Sequence, residues 1–141
     1  MKPFEYYLEE GSVRKAEKNI VVAKALIDDM KIRLKENWNE DIQKKPKTIF
    51  ENIYDALRDF CDSLLSKDGF KSYSHEASIQ YLSKYNFSIA EISELDNYRY
   101  IRNGSKYYGR IIYSEDVLEI KAFYNRIKDK IKKLVQESNL E

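Results

Sequence analysis

A chain of 141 residues with 43% hydrophobic and 35% charged residues, four glycines and two prolines fits one helix-rich domain, residues 1–141, and excludes a disordered or β-rich chain. Lysine plus arginine (25) nearly cancel aspartate plus glutamate (24), so a nucleic-acid or anionic-membrane partner would need a local basic patch. Cys61 is the only cysteine and His75 the only histidine, which leaves no intramolecular disulfide and no metal-ligand cluster; with no leader-like or membrane-length apolar run, neither cofactor nor membrane is expected, and the cytoplasm is the expected compartment.

Residues 1–11 are aromatic and acidic and end at Gly11, as in a lead-in arm that packs back on the domain. From Ser12, the apolar positions Val13, Ala16, Ile20, Ala23, Ile27, Met30 and Leu34 advance in steps of three and four after one early irregularity, which predicts a first long amphipathic helix. A polar loop, Asn37 to Pro46, follows. Thr48 with Glu51 three residues later predicts a capping box for the second helix, whose stripe is Phe50, Ile53/Tyr54, Leu57, Cys61 and Leu64/Leu65 and which stops near Gly69. Ser74 as N-cap starts a short third helix with Ala77, Ile79 and Leu82 inward, ending at Asn86. Ser88 and Glu91 form a second capping box, opening a fourth helix with Ile89, Ile92 and Leu95 on one stripe. Ser114 opens the fifth, with Val117, Ile120, Tyr124, Ile127, Ile131 and Leu134 inward. No segment has strand periodicity. The expected fold is all-α: an up-and-down four-helix bundle with an additional short helix. Leu140-Glu141 has the form of a cloning scar and is set aside.

Where the fourth helix should continue its apolar stripe, residues 97–109 place two arginines, two asparagines, a lysine and four tyrosines. At 100° per residue, Arg99, Asn103 and Tyr107 fall on the stripe of Ile92, flanked by Asp96 and Lys106, while Arg102 points elsewhere unless the helix bends at Gly104. A bend would gather Arg102, Asn103 and Tyr107 into one concave site. The alternative is structural: Arg99 and Arg102 pair with Asp55, Asp59 or Asp96, and the tyrosines cap the core, because a buried guanidinium must find partners. His75, at a helix start that disfavours its charged form, reads as a cap or packing residue. The lysines of the fifth helix (Lys121, Lys128, Lys132, Lys133) are interspersed with Glu119 and Asp129, as on a solvated face, with a weak nucleic-acid patch as the alternative.

Ile53-Tyr-Asp-Ala-Leu-Arg-Asp-Phe60, Gly69-Phe-Lys-Ser-Tyr-Ser-His-Glu76 and Leu95-Asp-Asn-Tyr-Arg-Tyr-Ile-Arg-Asn-Gly-Ser-Lys-Tyr-Tyr-Gly109 resemble the HEPN domain superfamily, in particular its small stand-alone prokaryotic and archaeal members. The resemblance implies a helical bundle, commonly a homodimer, whose fourth helix carries an arginine and, four to six residues later, a histidine. It implies a metal-independent ribonuclease site at the dimer interface in active members, many of them toxins paired with a nucleotidyltransferase antitoxin. Carried over by position, Arg102 matches the family arginine and Asn103 the polar residue after it, while Tyr107 stands in place of the histidine. A tyrosine with an ordinary pKa near 10 is poorly matched to proton transfer at neutral pH. Asp55 and Arg58 are the polar residues that the second helix would turn toward this site, with Asp96, Arg99 and Tyr108 around it. Three readings stay open: a weak ribonuclease or RNA binder, with Arg102, Asn103 and Tyr107 as its working residues; a non-catalytic module that binds a nucleotide or a nucleotidyltransferase, with Tyr107 or Tyr108 as a modification target; and a structural homodimer.

Overall fold

The computed structural model describes residues 1–141. The chain is mainly helical, with α1 (Phe4–Glu10), α2 (Ile20–Asn37), α3 (Pro46–Asp68), α4 (His75–Gln80) continued by a 3₁₀ turn (Tyr81–Tyr85), α5 (Ile89–Tyr107) and α6 (Ser114–Glu137). Two short strands, β1 (Val13–Lys15) and β2 (Phe70–Ser72), pair antiparallel with Val13 opposite Ser72 and Lys15 opposite Phe70.

α3 is the axis of the core. Ile49, Phe50, Ile53, Tyr54, Ala56, Leu57, Phe60, Cys61, Leu64 and Leu65 bury most of its circumference, so the other elements are arranged around it. α2 lies closest, through Ala23, Ile27 and Met30, and α6 packs with Val117, Ile120, Phe123, Ile127, Ile131 and Val135. α5 joins them through Tyr98, whose ring meets Phe50 at 6.0 Å and Phe123 at 5.4 Å. Between α5 and α6 the surface pairs are Arg126 with Glu94 (2.7 Å) and Lys130 with Glu91 (2.9 Å), each contributing at most about 1 kcal/mol.

The sequence misplaces the start of the first long helix. Val13 and Ala16 fit the spacing of its stripe, yet Val13–Lys15 is a strand, and Asn19 caps the helix at Ile20 by accepting a hydrogen bond from the Val22 N–H at 3.0 Å. The strand forms because α3 ends at Gly69 beside it: the Ala16 N–H donates to the Gly69 carbonyl (2.8 Å), and the Asn19 N–H donates to that of Ser66 (2.8 Å). Gly69 has φ +89°, and a Cβ there would lie 2.9 Å from the Ala16 carbonyl oxygen. Gly69→Ala should therefore cost about 2–3 kcal/mol in urea unfolding, from backbone strain plus that contact.

Other boundaries also move. The lead-in arm packs back as expected, but as helix α1, burying Phe4 and Tyr7. α3 begins with Pro46 at its first turn, and the Thr48 box does not form: the Thr48 carbonyl accepts from Asn52 Nδ2, while Glu51 Oε1 is sealed without a partner. Proline supplies the start because its missing N–H is an orphan at that position anyway. The Ser74 cap and the Ser88/Glu91 capping box both form, but Ile89 is 86% exposed, since the first turn of α5 projects past the core. The α6 cap sits one residue earlier than Ser114, where the Tyr113 N–H donates to Asp116 at 2.8 Å; Phe123 and Val135 take buried positions next to half-buried Tyr124 and Leu134. Leu140 is fully buried, its N–H donating to the Val135 carbonyl at 3.0 Å. No helix is long and apolar enough to cross a membrane.

Candidate functional site

Polar residues line one side of α3 at Glu51, Asp55, Arg58 and Asp62, spaced four, three and four residues apart, which sets them on one helical face. Opposite them, α5 presents Asp96, Arg99 and Arg102. The guanidiniums are spoken for by carboxylates: Arg102 Nη2 donates to Asp55 at 3.3 Å, Arg99 Nε to Asp96 at 2.7 Å, and Arg58 Nε pairs with Asp62 at 3.1 Å. Arg99 also reaches Glu76 of α4 (3.4 Å), and Arg33 of α2 takes Asp59 (3.0 Å) and the second oxygen of Asp55 (3.8 Å). This is the structural network expected of Arg99 and Arg102, with Asp59 claimed by Arg33 instead.

α5 does not gather Arg102, Asn103 and Tyr107 into one concave site. It continues as helix through Gly104 to Tyr107, and the buried positions are Ile92, Leu95, Tyr98, Ile101, Arg102 and Ser105. Steps of three prevail along that set, so the buried stripe drifts around the helix toward Arg102 and away from Tyr107. Arg102 is 8% exposed, and Tyr107 is 62% exposed with Lys106 Nζ 5.8 Å from its ring centroid. Asn103 stays beside Arg102, accepting a long 3.4 Å bond from Nη1. Gly104 instead makes room for Arg110, since a Cβ would lie 3.1 Å from Arg110 Cδ, and its carbonyl accepts from the N–H groups of Tyr108 (3.0 Å) and Arg110 (2.9 Å).

Two regions result. The outer one is the end of α5 and the turn to α6: Asn97 through Tyr113 contain Arg99, Arg102, Lys106 and Arg110 and no carboxylate. Tyr100, Tyr107, Tyr108 and Tyr113 all project into solvent there, Tyr108 being 85% exposed. The inner one is the seam of α3, α4 and α5. There the Tyr54 hydroxyl and His75 Nδ1 are 3.1 Å apart, the two rings stack at 6.3 Å, and the Arg102 guanidinium lies 5.8 Å from the centroid of the Tyr54 ring. Burial raises the Tyr54 phenol well above its ordinary range.

Sequence reasoning read His75 as local packing and missed that it meets Tyr54 and the arginines, because nothing in the order of residues says that α4 folds against that face of α3. The spacing of Tyr54 and Arg58 on one helix turn was the available signal. Burial first, then the nearby Arg58, Arg102, Arg99 and Lys106, lower the His75 pKa to about 4. A folded-state value below the unfolded ~6.5 favours folding above pH 6.5 and loses that contribution as pH falls toward 4. Discounted for partial exposure, the effect is about 1–2 kcal/mol. Asp59, whose carboxyl burial pushes up to about 6 against the pull of Arg33, titrates in the same window with the opposite sign. The stability difference between wild type and His75→Gln, measured by urea unfolding from pH 7.5 to 4, isolates the histidine limb and should shrink toward acid.

No group of three or more His, Cys, Asp or Glu side chains is arranged to hold a metal ion. No family model matches this chain, and neither a curated protein nor a solved structure matches it.

Proposed function

We propose that this chain is a HEPN-like helical-bundle protein that binds single-stranded RNA at the end of α5 without cleaving it. What carries the reading is the acid-free stretch from Asn97 to Tyr113, in which exposed tyrosines alternate with Lys106 and Arg110. Aromatic faces that stack on bases, interleaved with cations that follow phosphates, are the elements of sequence-tolerant single-strand binding. Placement of the family positions argues for binding over turnover: Arg102 is paired with Asp55, Tyr107 stands out in solvent, and the one histidine, His75, lies at the start of α4 with its pKa lowered to about 4 by burial and nearby cations. Incubation of the full chain with end-labelled single-stranded RNA at low salt should give a retained complex and intact RNA. Cleavage fragments, or no complex, would overturn the reading.

The exposure of Tyr107 and Tyr108 supports a second reading, in which a nucleotidyltransferase partner modifies a tyrosine of a homodimeric, non-catalytic module. Unchanged tyrosine masses after incubation with such an enzyme and ATP would remove it.

A further inference from the structure

The strand pair β1 and β2 has two faces of different chemistry. Val13, Phe70 and Ser72 turn inward and are buried or half-buried, while Arg14, Lys71 and Tyr73 alternate with them and stand in solvent, Tyr73 being 63% exposed. The Tyr73 N–H donates to the Ser12 carbonyl at 2.8 Å, which carries the pairing one residue past β2 and holds Tyr73 on the face of Lys71.

Arg14 and Lys71 are direct partners in the register. Like charges set opposite each other weaken a strand pair, and no carboxylate relieves these two: the ion pairs of the chain use neither side chain, and Glu5 and Glu9, which share the adjoining groove with Arg14, do not pair with it. Both cations lean on one aromatic ring, the Arg14 guanidinium 5.7 Å and the Lys71 ammonium 5.9 Å from the Tyr73 centroid. At an exposed site such contacts are weak and offset the repulsion only in part. A local conflict kept on an accessible face is the mark of a surface that serves something besides folding.

An anion between Arg14 and Lys71 would remove the repulsion, and an aromatic ring on an exposed sheet face is a platform for an unpaired base. We propose that Arg14, Lys71 and Tyr73 form a one-nucleotide contact for single-stranded RNA, with a phosphate between the two cations and its base on the Tyr73 ring. The contact rests on the reading of the chain as an RNA binder, and it shares no residue with the end of α5.

Lys71→Glu turns the like-charge pair into an attractive one. The midpoint of its urea unfolding should therefore hold or rise, while its affinity for a fluorescein-labelled single-stranded RNA should fall at least about fivefold. Arg14→Gln combined with Lys71→Gln should flatten the dependence of log affinity on log salt by about 0.7, the share of one phosphate. Tyr73→Ser should weaken binding at least about fivefold and leave that slope nearly unchanged. Ultraviolet irradiation of the wild-type complex, followed by peptide mass mapping, should place an RNA adduct on Tyr73. Hairpin variants that bind like wild type, beside a weakened Tyr107→Ala/Tyr108→Ala double variant, would overturn the hairpin contact and leave the α5 reading standing. The reverse pattern would support the hairpin and remove the α5 surface, and a wild-type chain that retains no RNA would remove both. A lowered urea midpoint for Lys71→Glu would make Lys71 a structural residue, and a poly-glutamate peptide that binds this face more tightly than RNA would make it an acidic-peptide site; either result would overturn the proposal.

Discussion

Alanine at Tyr54 is expected to lower the unfolding free energy by about 3–5 kcal/mol, whereas phenylalanine should cost only about 1–1.5 kcal/mol. The residue lies within α3 with no exposed surface, its ring stacked with the His75 imidazole at 6.3 Å and its centroid 5.8 Å from the Arg102 guanidinium. Alanine would leave a cavity at a fully buried core position and remove the ring that both polar groups approach. Phenylalanine fills the same volume and deletes one hydroxyl, so its cost is the lost hydrogen bond to Nδ1. Trp38, which packs edge-on against Tyr124 at 5.4 Å where α2 meets α6, reports unfolding by its fluorescence without touching the mutated site. If alanine and phenylalanine proved equally tolerated, α3 would not be the axis of the core.

The parts of the fold that were legible in the sequence are those where local and global demands agree. α3, α6 and the latter part of α2 bury long stripes with three-four spacing, and Ser74 and Ser88 cap helices because their hydroxyls satisfy orphan N–H groups wherever the helix packs. The errors arise where a distant segment decides. Val13 to Lys15 is too short to display strand alternation, and it becomes a strand because the end of α3 presents carbonyls at Ser66 and Gly69. Thr48 has the right spacing to Glu51 for a cap but lies inside a helix that Pro46 has already begun. Along α5, the assumption of one fixed face put Arg99, Asn103 and Tyr107 inward, whereas Tyr98 and Ile101 are needed to meet α3 and α6, which turns Arg102 inward and Tyr107 out. The arginine network was foreseeable from charge alone. The meeting of His75 with Tyr54 was not, because it depends on how β2 and α4 return to α3.

Replacing Tyr107 and Tyr108 together with alanine is expected to weaken binding of a fluorescein-labelled single-stranded RNA by at least about 30-fold in anisotropy titrations, since each of the two lost base–aromatic stacks is worth about 1–3 kcal/mol. Both side chains are largely in solvent, so stability should change by less than about 0.5 kcal/mol, and the loss of affinity cannot be ascribed to unfolding. Arg110→Ala tests the other half of the same surface. Arg110 lies against Gly104 at the end of α5, where its charge also favours the helix C-terminus, and its removal should flatten the dependence of log affinity on log salt by about 0.7 for a single-stranded ligand. Stacking and phosphate contacts therefore leave different signatures: the tyrosine pair changes affinity at every salt concentration with little change in slope, and Arg110 changes the slope. If neither substitution moves the binding curve while Arg102→Gln abolishes it, RNA enters through the inner seam, and the exposed tyrosines of α5 do not form the RNA-binding surface.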